Sequence, residues 1–243
     1  MCGRFASSKD DDDVVVEFEI EQTDESAAPV VSWNVAPTDP VRIVVERADR
    51  TTGEVTRQLR RARWGLVPSW AKDPSVGSRM INARVETIAD KPAFARPFAQ
   101  RRALLPADGY YEWQATPPGA ARTAKQPFFL HPADGTTLAL AGLYEFWRDP
   151  TKADDGPSRW LVTATVVTRP ASPALAHIHD RQPLMLRRED WAAWLDPAVG
   201  ADEARALLTA PAPTIVATPV STAVNAVAND GPHLVDPVPL PPA

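Results

Sequence analysis

The sequence contains one cysteine, Cys2, and no uninterrupted apolar run long enough to cross a bilayer. With a single thiol an internal disulfide cannot form, and a zinc site could not rest mainly on cysteine ligands. The lack of long apolar runs argues against a transmembrane helix, so no membrane partner is expected. The first residues also lack the basic flank and apolar core of a secretory signal, which predicts a cytoplasmic location.

Proline, by contrast, is abundant, with 26 of the 243 residues. This argues against long helices, because proline cannot donate the backbone hydrogen bond that a helix interior needs. With 44% apolar and 23% charged residues, the chain can bury a core. We therefore expect a single α+β domain over residues 1–243, built mainly on antiparallel β-sheet with a few short helices. A proline-rich tail from about residue 232 is expected to lie extended on the surface.

Runs of β-branched and aromatic residues between turn-forming clusters predict most of the strands. The predicted strands span residues 41–46, 54–59, 63–67, 102–106, 110–114, 128–131, 137–147, 160–168 and 214–220. Helical patterns cover residues 188–195, 202–209 and 86–98, the last interrupted by Pro92 and Pro97. Segment 14–20 suits either a short helix or a strand. The predicted loops are 73–80, 119–125 and 149–157.

Charge is unevenly distributed along the chain, whose net charge is −5. Residues 1–30 carry nine acidic and two basic side chains, whereas residues 42–102 carry fourteen basic and six acidic ones. The basic middle is consistent with a polyanion-binding surface or with an ordinary solvated face. It includes a basic string, defined here as Arg57, Arg60, Arg61 and Arg63. On a strand, Arg60 would point away from the other three, and the string is either a second phosphate contact or a solvated edge.

Cys2 would gain a second reactive group if Met1 were removed. Cleavage after Met1, which a small second residue permits, leaves an α-amine and a thiol on one residue, with ordinary pKa values of about 8 and about 8.5. An amine adds to an aldehyde to form an imine, and the neighbouring thiol can then close a five-membered thiazolidine ring. The alternative is a small buried cysteine with no chemical role.

Several ordered blocks of sequence accompany this N-terminus. They are CGRF at 2–5, NVAPT at 34–38, WGLVPSWAKD at 64–73, NARVET at 82–87, PADGYYEW at 106–113, AGLY at 141–144, HDRQPL at 179–184 and VNAV at 224–227. With these blocks the chain, from Cys2 to about residue 237, resembles the SRAP family, whose members shield abasic sites in DNA. The resemblance implies an SRAP-like fold with a barrel-like sheet core.

The same resemblance implies that the protein captures the ring-opened aldehyde of an abasic nucleotide in single-stranded DNA. Cys2 would form the thiazolidine link after autocatalytic removal of Met1, Glu112 would transfer protons, and His179 would hold and protonate the sugar oxygen. The residues implied to position the amine, the sugar and the flanking phosphates are Asn82, Arg4, Asn34 and Arg84. The resemblance implies no metal or cofactor, a monomer and a nucleoid-associated location, and it leaves open a preference for junctions between single strand and duplex.

The residue types suit these roles independently of the resemblance. A carboxylate between Tyr111 and Trp113 could have the raised pKa that proton exchange needs near neutral pH. Imidazole titrates near pH ~6.5, and the block that begins at His179 selects it over His177. Most of the eight tryptophans are expected in the core. Trp70 lies in a loop-like segment and is expected to be exposed, where it could stack on a base.

Two other classes of protein remain open from the residues alone. Amidotransferases with an N-terminal nucleophile also begin with Met-Cys-Gly, and in them the thiol attacks an amide with its own α-amine as base. That class predicts two packed sheets and long helices, which the many prolines disfavour. A noncatalytic single-strand-binding module would leave Cys2 incidental.

Overall fold

The computed structural model describes residues 2–23, 30–49, 51–115, 125–153 and 159–240, and strands make up most of its regular structure. In chain order the strands are β1 (Phe5–Ser7), β2 (Gln22–Thr23), β3 (Ser32–Val35), β4 (Pro40–Ala48), β5 (Val55–Trp64), β6 (Asn82–Arg84), β7 (Arg102–Ala107), β8 (Gly109–Gln114), β9 (Gln126–Pro132), β10 (Leu138–Arg148), β11 (Trp160–Pro170), β12 (Arg181–Pro183), β13 (Met185–Leu186) and β14 (Ile215–Pro219). One predicted strand is wrong. Residues 63–67 do not form a separate strand, because β5 continues without a break to Trp64.

Strands β4, β5, β7, β10 and β11 close into a barrel. Strand β4 pairs antiparallel with β5 and β7, β7 pairs with β10, and β10 pairs with β11. A parallel pairing of β11 with β5, in which Thr163 lies opposite Arg63, completes the ring. Inward-facing apolar side chains such as Ile43, Leu105 and Val166 fill the interior. The expectation of an α+β fold on a mainly antiparallel, barrel-like sheet is confirmed.

A second sheet of five strands, in the order β14–β9–β8–β1–β3, carries the N-terminus. Alternation along β8 gives its two faces different neighbours. Tyr110 belongs to the same core cluster as Cys2 and Phe5, whereas Tyr111 packs with Phe129 in a separate cluster. The side chains of β8 that face Cys2 are therefore those at even-numbered positions.

Four short α-helices lie within the described residues: α1 (Asp11–Glu17), α2 (Pro92–Gln100), α3 (Arg188–Leu195) and α4 (Ala201–Leu207). Their apolar side chains cover the outer face of the barrel in one cluster, in which the rings of Phe18 and Trp191 stack with centroids 4.5 Å apart. None of the helices in this part of the chain is long and apolar enough to span a membrane.

Two helix boundaries decide questions that the sequence leaves open. Segment 14–20 is helical in its first part, because Asp10 caps α1 by accepting a hydrogen bond from the Asp13 N–H at 2.8 Å. The helix expected over 86–98 begins only at Pro92. Proline is tolerated in the first turn, since its missing N–H would have no intrahelical partner there, so Pro92 starts this helix instead of interrupting it.

Two further expectations are corrected. The predicted loop at 73–80 contains a 3-10 helix, Pro74–Arg79. The tail does not lie wholly on the surface, because a 3-10 helix, Pro232–Val235, buries Leu234 completely and the Val238 N–H donates to the Pro219 carbonyl at 2.9 Å. The loop predicted at 119–125 lies outside the described residues except for Lys125. Of the loop predicted at 149–157, the described part, 149–153, contains neither helix nor strand, as expected.

Candidate functional site

Cys2 lies in the interior, immediately before β1. Strand β1 runs between β3 and β8, with Phe5 opposite Val35 on one side and Tyr110 on the other. Cys2 is fully buried, and the Asn82 Nδ2 donates a hydrogen bond to its carbonyl at 2.9 Å. Asn82 is itself held by β6, which pairs in parallel with β11. Strand β1 is thus held between β3 and β8, and the Cys2 carbonyl just before it is held by Asn82.

The Cys2 thiol is neutral in this environment. Burial raises its pKa well above the ordinary value, and the nearby Glu112 carboxylate raises it further. A backbone hydrogen bond from Arg4 lowers the pKa in part. A reaction at this sulfur therefore needs a group that removes its proton.

Glu112 is suited to remove that proton. It lies on the even-numbered face of β8 and is only 3% exposed. Burial raises the pKa of its carboxyl to about 7. The flanking Tyr111 and Trp113 are not the cause of this rise, contrary to expectation, because these residues pack on the opposite face of the strand. The cause is burial among the neighbours of Cys2.

His179 faces Glu112 across the site. Its Nε2 lies 3.9 Å from the Glu112 Oε2, while its Nδ1 accepts a hydrogen bond from the Arg181 N–H at 3.0 Å. Because Nδ1 is an acceptor, the ring proton sits on Nε2 and points toward Glu112. Burial lowers the pKa of His179, so the imidazole is neutral near pH 7, and the 3.0 Å approach of Asp180 to Nδ1 is not an ion pair.

Of the two histidines considered, the structure brings His179 and not His177 to Glu112. His177 is exposed, and its carbonyl accepts a hydrogen bond from Gln114 Nε2 at 3.3 Å. The choice of His179 is consistent with this arrangement. Within the part of the chain that the structure describes, no group of three or more His, Cys, Asp and Glu side chains is arranged to hold a metal ion.

Arg4 and Asn34 hydrogen-bond to each other and to backbone carbonyls of residues 224–229. The Arg4 Nη1 donates to Asn34 Oδ1 at 2.6 Å and to the Val224 carbonyl at 2.8 Å. The Asn34 Nδ2 donates to the carbonyls of Ala226 and Asn229 at 3.1 and 2.8 Å. Asn34 is only 3% exposed, and its role in DNA binding stays a prediction. Its amide is occupied internally, and it positions Arg4.

Arg84 and Trp70 lie at the surface as a DNA-binding role requires. Arg84 is exposed at the end of β6, two residues after Asn82. Trp70 is 65% exposed, which confirms the expected exposure. Its loop is anchored by Trp147, whose indole N–H donates to the Ala71 carbonyl at 2.7 Å. The same loop is also fixed by close packing of Gly65 against Gly77, since a Cβ at Gly65 would lie 2.5 Å from the Gly77 carbonyl oxygen.

Internal contacts occupy much of the basic string. Arg57 pairs with Glu46 at 2.7 Å and with Glu19 at 3.5 Å. Arg61 pairs with Asp11 on α1. Arg60 points away from them and donates from Nε to Gln58 Oε1 at 2.8 Å. Two of the four guanidiniums thus stabilise the junction between the barrel and the N-terminal segment, and a second phosphate contact by the string stays a prediction.

Sequence reasoning missed one polar group of this site, the hydroxyl of Tyr110. Tyr110 shares the face of β8 with Glu112 and is 1% exposed. The two-residue period of a strand could have identified it, because it stands two positions before a proposed proton-transfer residue.

A family model described as SOS response associated peptidase (SRAP) matches residues 1–227. The abasic site processing protein YoqW of Bacillus subtilis is 34% identical over 97% of this chain and 99% of its own length. The abasic site processing protein YedK of Escherichia coli is 33% identical over 98% of this chain and 100% of its own. The abasic site processing protein HMCES of Gallus gallus is 32% identical over 86% of this chain and 67% of its own length.

Solved structures share the fold. A protein from Bacteroides thetaiotaomicron superposes with a TM-score of 0.75 at 21% identity, covering 98% of this chain and 100% of that one. A phage-related protein from Bordetella bronchiseptica gives a TM-score of 0.61 at 30% identity, covering 90% and 94%. The chain therefore belongs to the SRAP family, as its sequence blocks indicate.

Proposed function

We propose that this protein processes abasic sites in single-stranded DNA by forming a covalent thiazolidine link through Cys2. The observation that carries the proposal is the convergence of Cys2, Asn82, Glu112 and His179 around one buried thiol. The full-length relatives YoqW and YedK are named for abasic site processing, which supports the same substrate class for this chain.

The first step is removal of Met1. The Cys2 sulfur attacks the carbonyl carbon of the Met1–Cys2 peptide bond, and the thiol proton passes to the Glu112 carboxylate. The acyl group moves from nitrogen to sulfur, and water then hydrolyses the resulting thioester. The products are free methionine and a chain that begins with the amine and thiol of Cys2.

The second step is capture of the aldehyde. As the sugar of the abasic nucleotide opens, its ring oxygen gains a proton while the adjacent hydroxyl loses one. Because His179 is neutral, its Nε2–H donates a hydrogen bond to this oxygen. Glu112, with a pKa of about 7, is partly protonated at neutral pH and is the better source of the proton.

Ring closure completes the link. The Cys2 amine adds to the aldehyde, and loss of water gives an imine, with Glu112 returning a proton to the departing hydroxyl. The thiolate then adds to the imine carbon, and the nitrogen takes up a proton. Both nucleophiles belong to one residue whose carbonyl is held by Asn82, so closure occurs within a tethered, oriented unit.

Residues at or near the surface hold the strand. Arg84 supplies charge for phosphates, and Arg4, held by Asn34, lies close to Cys2 in the chain. Trp70 offers a stacking surface, and a stacked base contributes about 1–3 kcal/mol. We further propose that the protein acts as a monomer in the cytoplasm, in association with the nucleoid.

The competing classes have less support. An amidotransferase of the N-terminal-nucleophile type is expected to contain long helices, whereas the longest α-helix within the described residues has nine. A noncatalytic module would not require a carboxyl with a pKa of about 7 beside a buried thiol.

The decisive experiment incubates purified protein with single-stranded DNA that carries one abasic site. We expect a heat-stable adduct visible on denaturing gels, and an intact mass of the free protein that lacks Met1. The Cys2→Ala variant keeps an α-amine but no thiol, so it should give only an imine, trapped by borohydride and lost on heating. A heat-stable adduct in Cys2→Ala, or Met1 retained in protein that forms adducts, would contradict the proposal.

A further inference from the structure

The hydroxyl of Tyr110 is buried without a hydrogen-bond partner. Tyr110 is 1% exposed, and its hydroxyl oxygen is inaccessible and makes no hydrogen bond. Buried polar groups are almost always paired, and an unpaired hydroxyl makes the fold less stable than phenylalanine at the same position would. A group retained at such a cost needs an explanation beyond packing.

Its location suggests that explanation. Tyr110 lies opposite Phe5 in the pairing of β8 with β1, and it shares the core cluster that contains Cys2. It also shares the face of β8 with Glu112. Tyr110 thus shares a strand face with the residue proposed to remove the thiol proton, and a negative charge on Cys2 acts on its phenol.

The ionised form of the Cys2 sulfur has little stabilisation. Burial and Glu112 both disfavour the thiolate, and the positive amino terminus and one backbone hydrogen bond, from Arg4, favour it. A second donor would assist each step in which the sulfur acts as a nucleophile. Burial raises the pKa of Tyr110 well above its ordinary value, so this phenol stays protonated and remains a donor.

We infer that the Tyr110 hydroxyl donates a hydrogen bond to the Cys2 sulfur when the sulfur is ionised, and so speeds its attack on the imine carbon. This inference rests on the proposed function and adds a residue to it. The thiol proton passes to Glu112, Tyr110 keeps its own proton, and the sulfur lone pair forms the new carbon–sulfur bond. The π electrons of the imine move to its nitrogen, which is then protonated, so no oxidant or reductant is required.

The test is the variant Tyr110→Phe, which removes only the hydroxyl. We expect crosslinking at neutral pH to slow about tenfold, because a hydrogen bond to a charged group changes a pKa by about one unit or more. The rise of the rate with pH, which follows ionisation of the thiol, should move up by about one pH unit. Affinity for intact single-stranded DNA should not change, and the melting temperature should stay equal or rise.

The matched control is Tyr111→Phe, the same chemical change one residue along β8 on the opposite face. The Tyr111 hydroxyl donates to the Trp33 carbonyl at 2.7 Å, away from the sulfur. This variant should melt at a lower temperature and keep the wild-type pH–rate profile. The pair thus separates an effect on the thiolate from an effect on stability.

A second measurement does not depend on DNA. The rate at which iodoacetamide alkylates mature Cys2, followed against pH, reports the thiolate directly. The charged groups around Tyr110 and Cys2 are Glu112 on β8, Arg169 on β11 and the α-amine of mature Cys2, and none of them differs between wild type and Tyr110→Phe. The alkylation midpoint should rise by about one pH unit in this variant.

The two proposals fail in different ways. If wild type forms no adduct, the proposed function is wrong, and the alkylation midpoints still decide the role of Tyr110. If wild type forms the adduct but Tyr110→Phe matches it in rate, pH profile and alkylation midpoint, the hydroxyl has no role at the sulfur and this inference is wrong.

Discussion

Two buried polar regions of this protein differ in how completely their hydrogen bonds are made. Arg102 is 4% exposed and donates five hydrogen bonds, at 2.6–3.2 Å, to carbonyls at the C-terminal ends of α2 and α3 and in the loop after α3. They are those of Phe98, Ala99, Trp194, Asp196 and Val199. At the Cys2 site, the Asn82 Oδ1 and the Tyr110 hydroxyl are buried without a partner. A satisfied buried group stabilises the fold, whereas an unsatisfied one beside a nucleophile leaves hydrogen-bonding capacity for a substrate.

The largest effect is expected at the site, on reaction rate. Glu112→Gln keeps the size of the side chain but cannot exchange protons, so formation and reversal of the crosslink should slow about 10²–10⁴-fold. Gel-based time courses on abasic single-stranded DNA measure both rates. An unchanged rate would remove Glu112 from proton transfer and weaken the contrast with Arg102.

The same variant should be at least as stable as wild type, in a pH-dependent way. The pKa of Glu112 is raised from 4.5 unfolded to about 7 folded, so its contribution to stability is fully present below pH 4.5 and is lost as pH rises to 7. The difference amounts to about 3 kcal/mol, and it levels off above pH 7. Urea unfolding of both proteins across this range measures it. If the stability difference between the two proteins did not change with pH, the pKa of the Glu112 carboxyl would not be raised in the folded state.

Arg102→Met should show the opposite behaviour. It leaves several helix-terminal carbonyls without a donor and should lower the free energy of unfolding by at least about 3 kcal/mol, while the crosslinking rate of the folded fraction stays unchanged. Arg205→Met is the control, because Arg205 is exposed and only loosely paired, at 3.6 Å, with Asp202. It should change stability by less than about 0.5 kcal/mol. A rate loss in folded Arg102→Met would mean that the two regions are coupled.

The smallest effect is expected at the rim of the site. Arg84→Ala should weaken binding to every single strand, with or without an abasic site, and reduce the salt-dependence slope by about one. Arg57→Ala is the matched control, since its guanidinium pairs with Glu46. It should leave DNA affinity and the salt slope near wild type. Equal slopes for Arg84→Ala and wild type would exclude a phosphate contact at Arg84.

Local sequence patterns predicted most of the elements. The helix over 188–195 has the predicted bounds, and β4, β7, β8, β10 and β11 lie where β-branched runs indicated. These elements follow from periodicity and turn residues, which act over a few neighbours. Segment 14–20 lacked a decisive period. Asp10 caps the helix that forms there, and Phe18, at its end, stacks on Trp191, a contact distant in sequence.

The site was predictable in its chemistry but not in all its geometry. Cys2 at position 2, Glu112 and His179 could be proposed from residue type and motif, and exposure of Trp70 from its loop. The internal use of Asn34 and Arg61 could not be foreseen, because Val224 and Asp11 meet them only in the folded chain. The pairing of Arg57 with Glu46 lies within the β4–β5 hairpin, both strands of which were predicted.

The sequence by itself determined the reactive unit and the family. Both follow from the order of residues along the chain, which places a thiol beside a potential α-amine and sets the succession of motif blocks. Tertiary structure decided which polar groups are hydrogen-bonded within the protein and which remain available to a substrate. The two faces of β8 send Tyr111 to the Trp33 carbonyl and leave Tyr110 unpaired beside Cys2 and Glu112. The physical reason is that burial and hydrogen-bond pairing depend on strands brought together across the fold, which no local pattern of residues specifies.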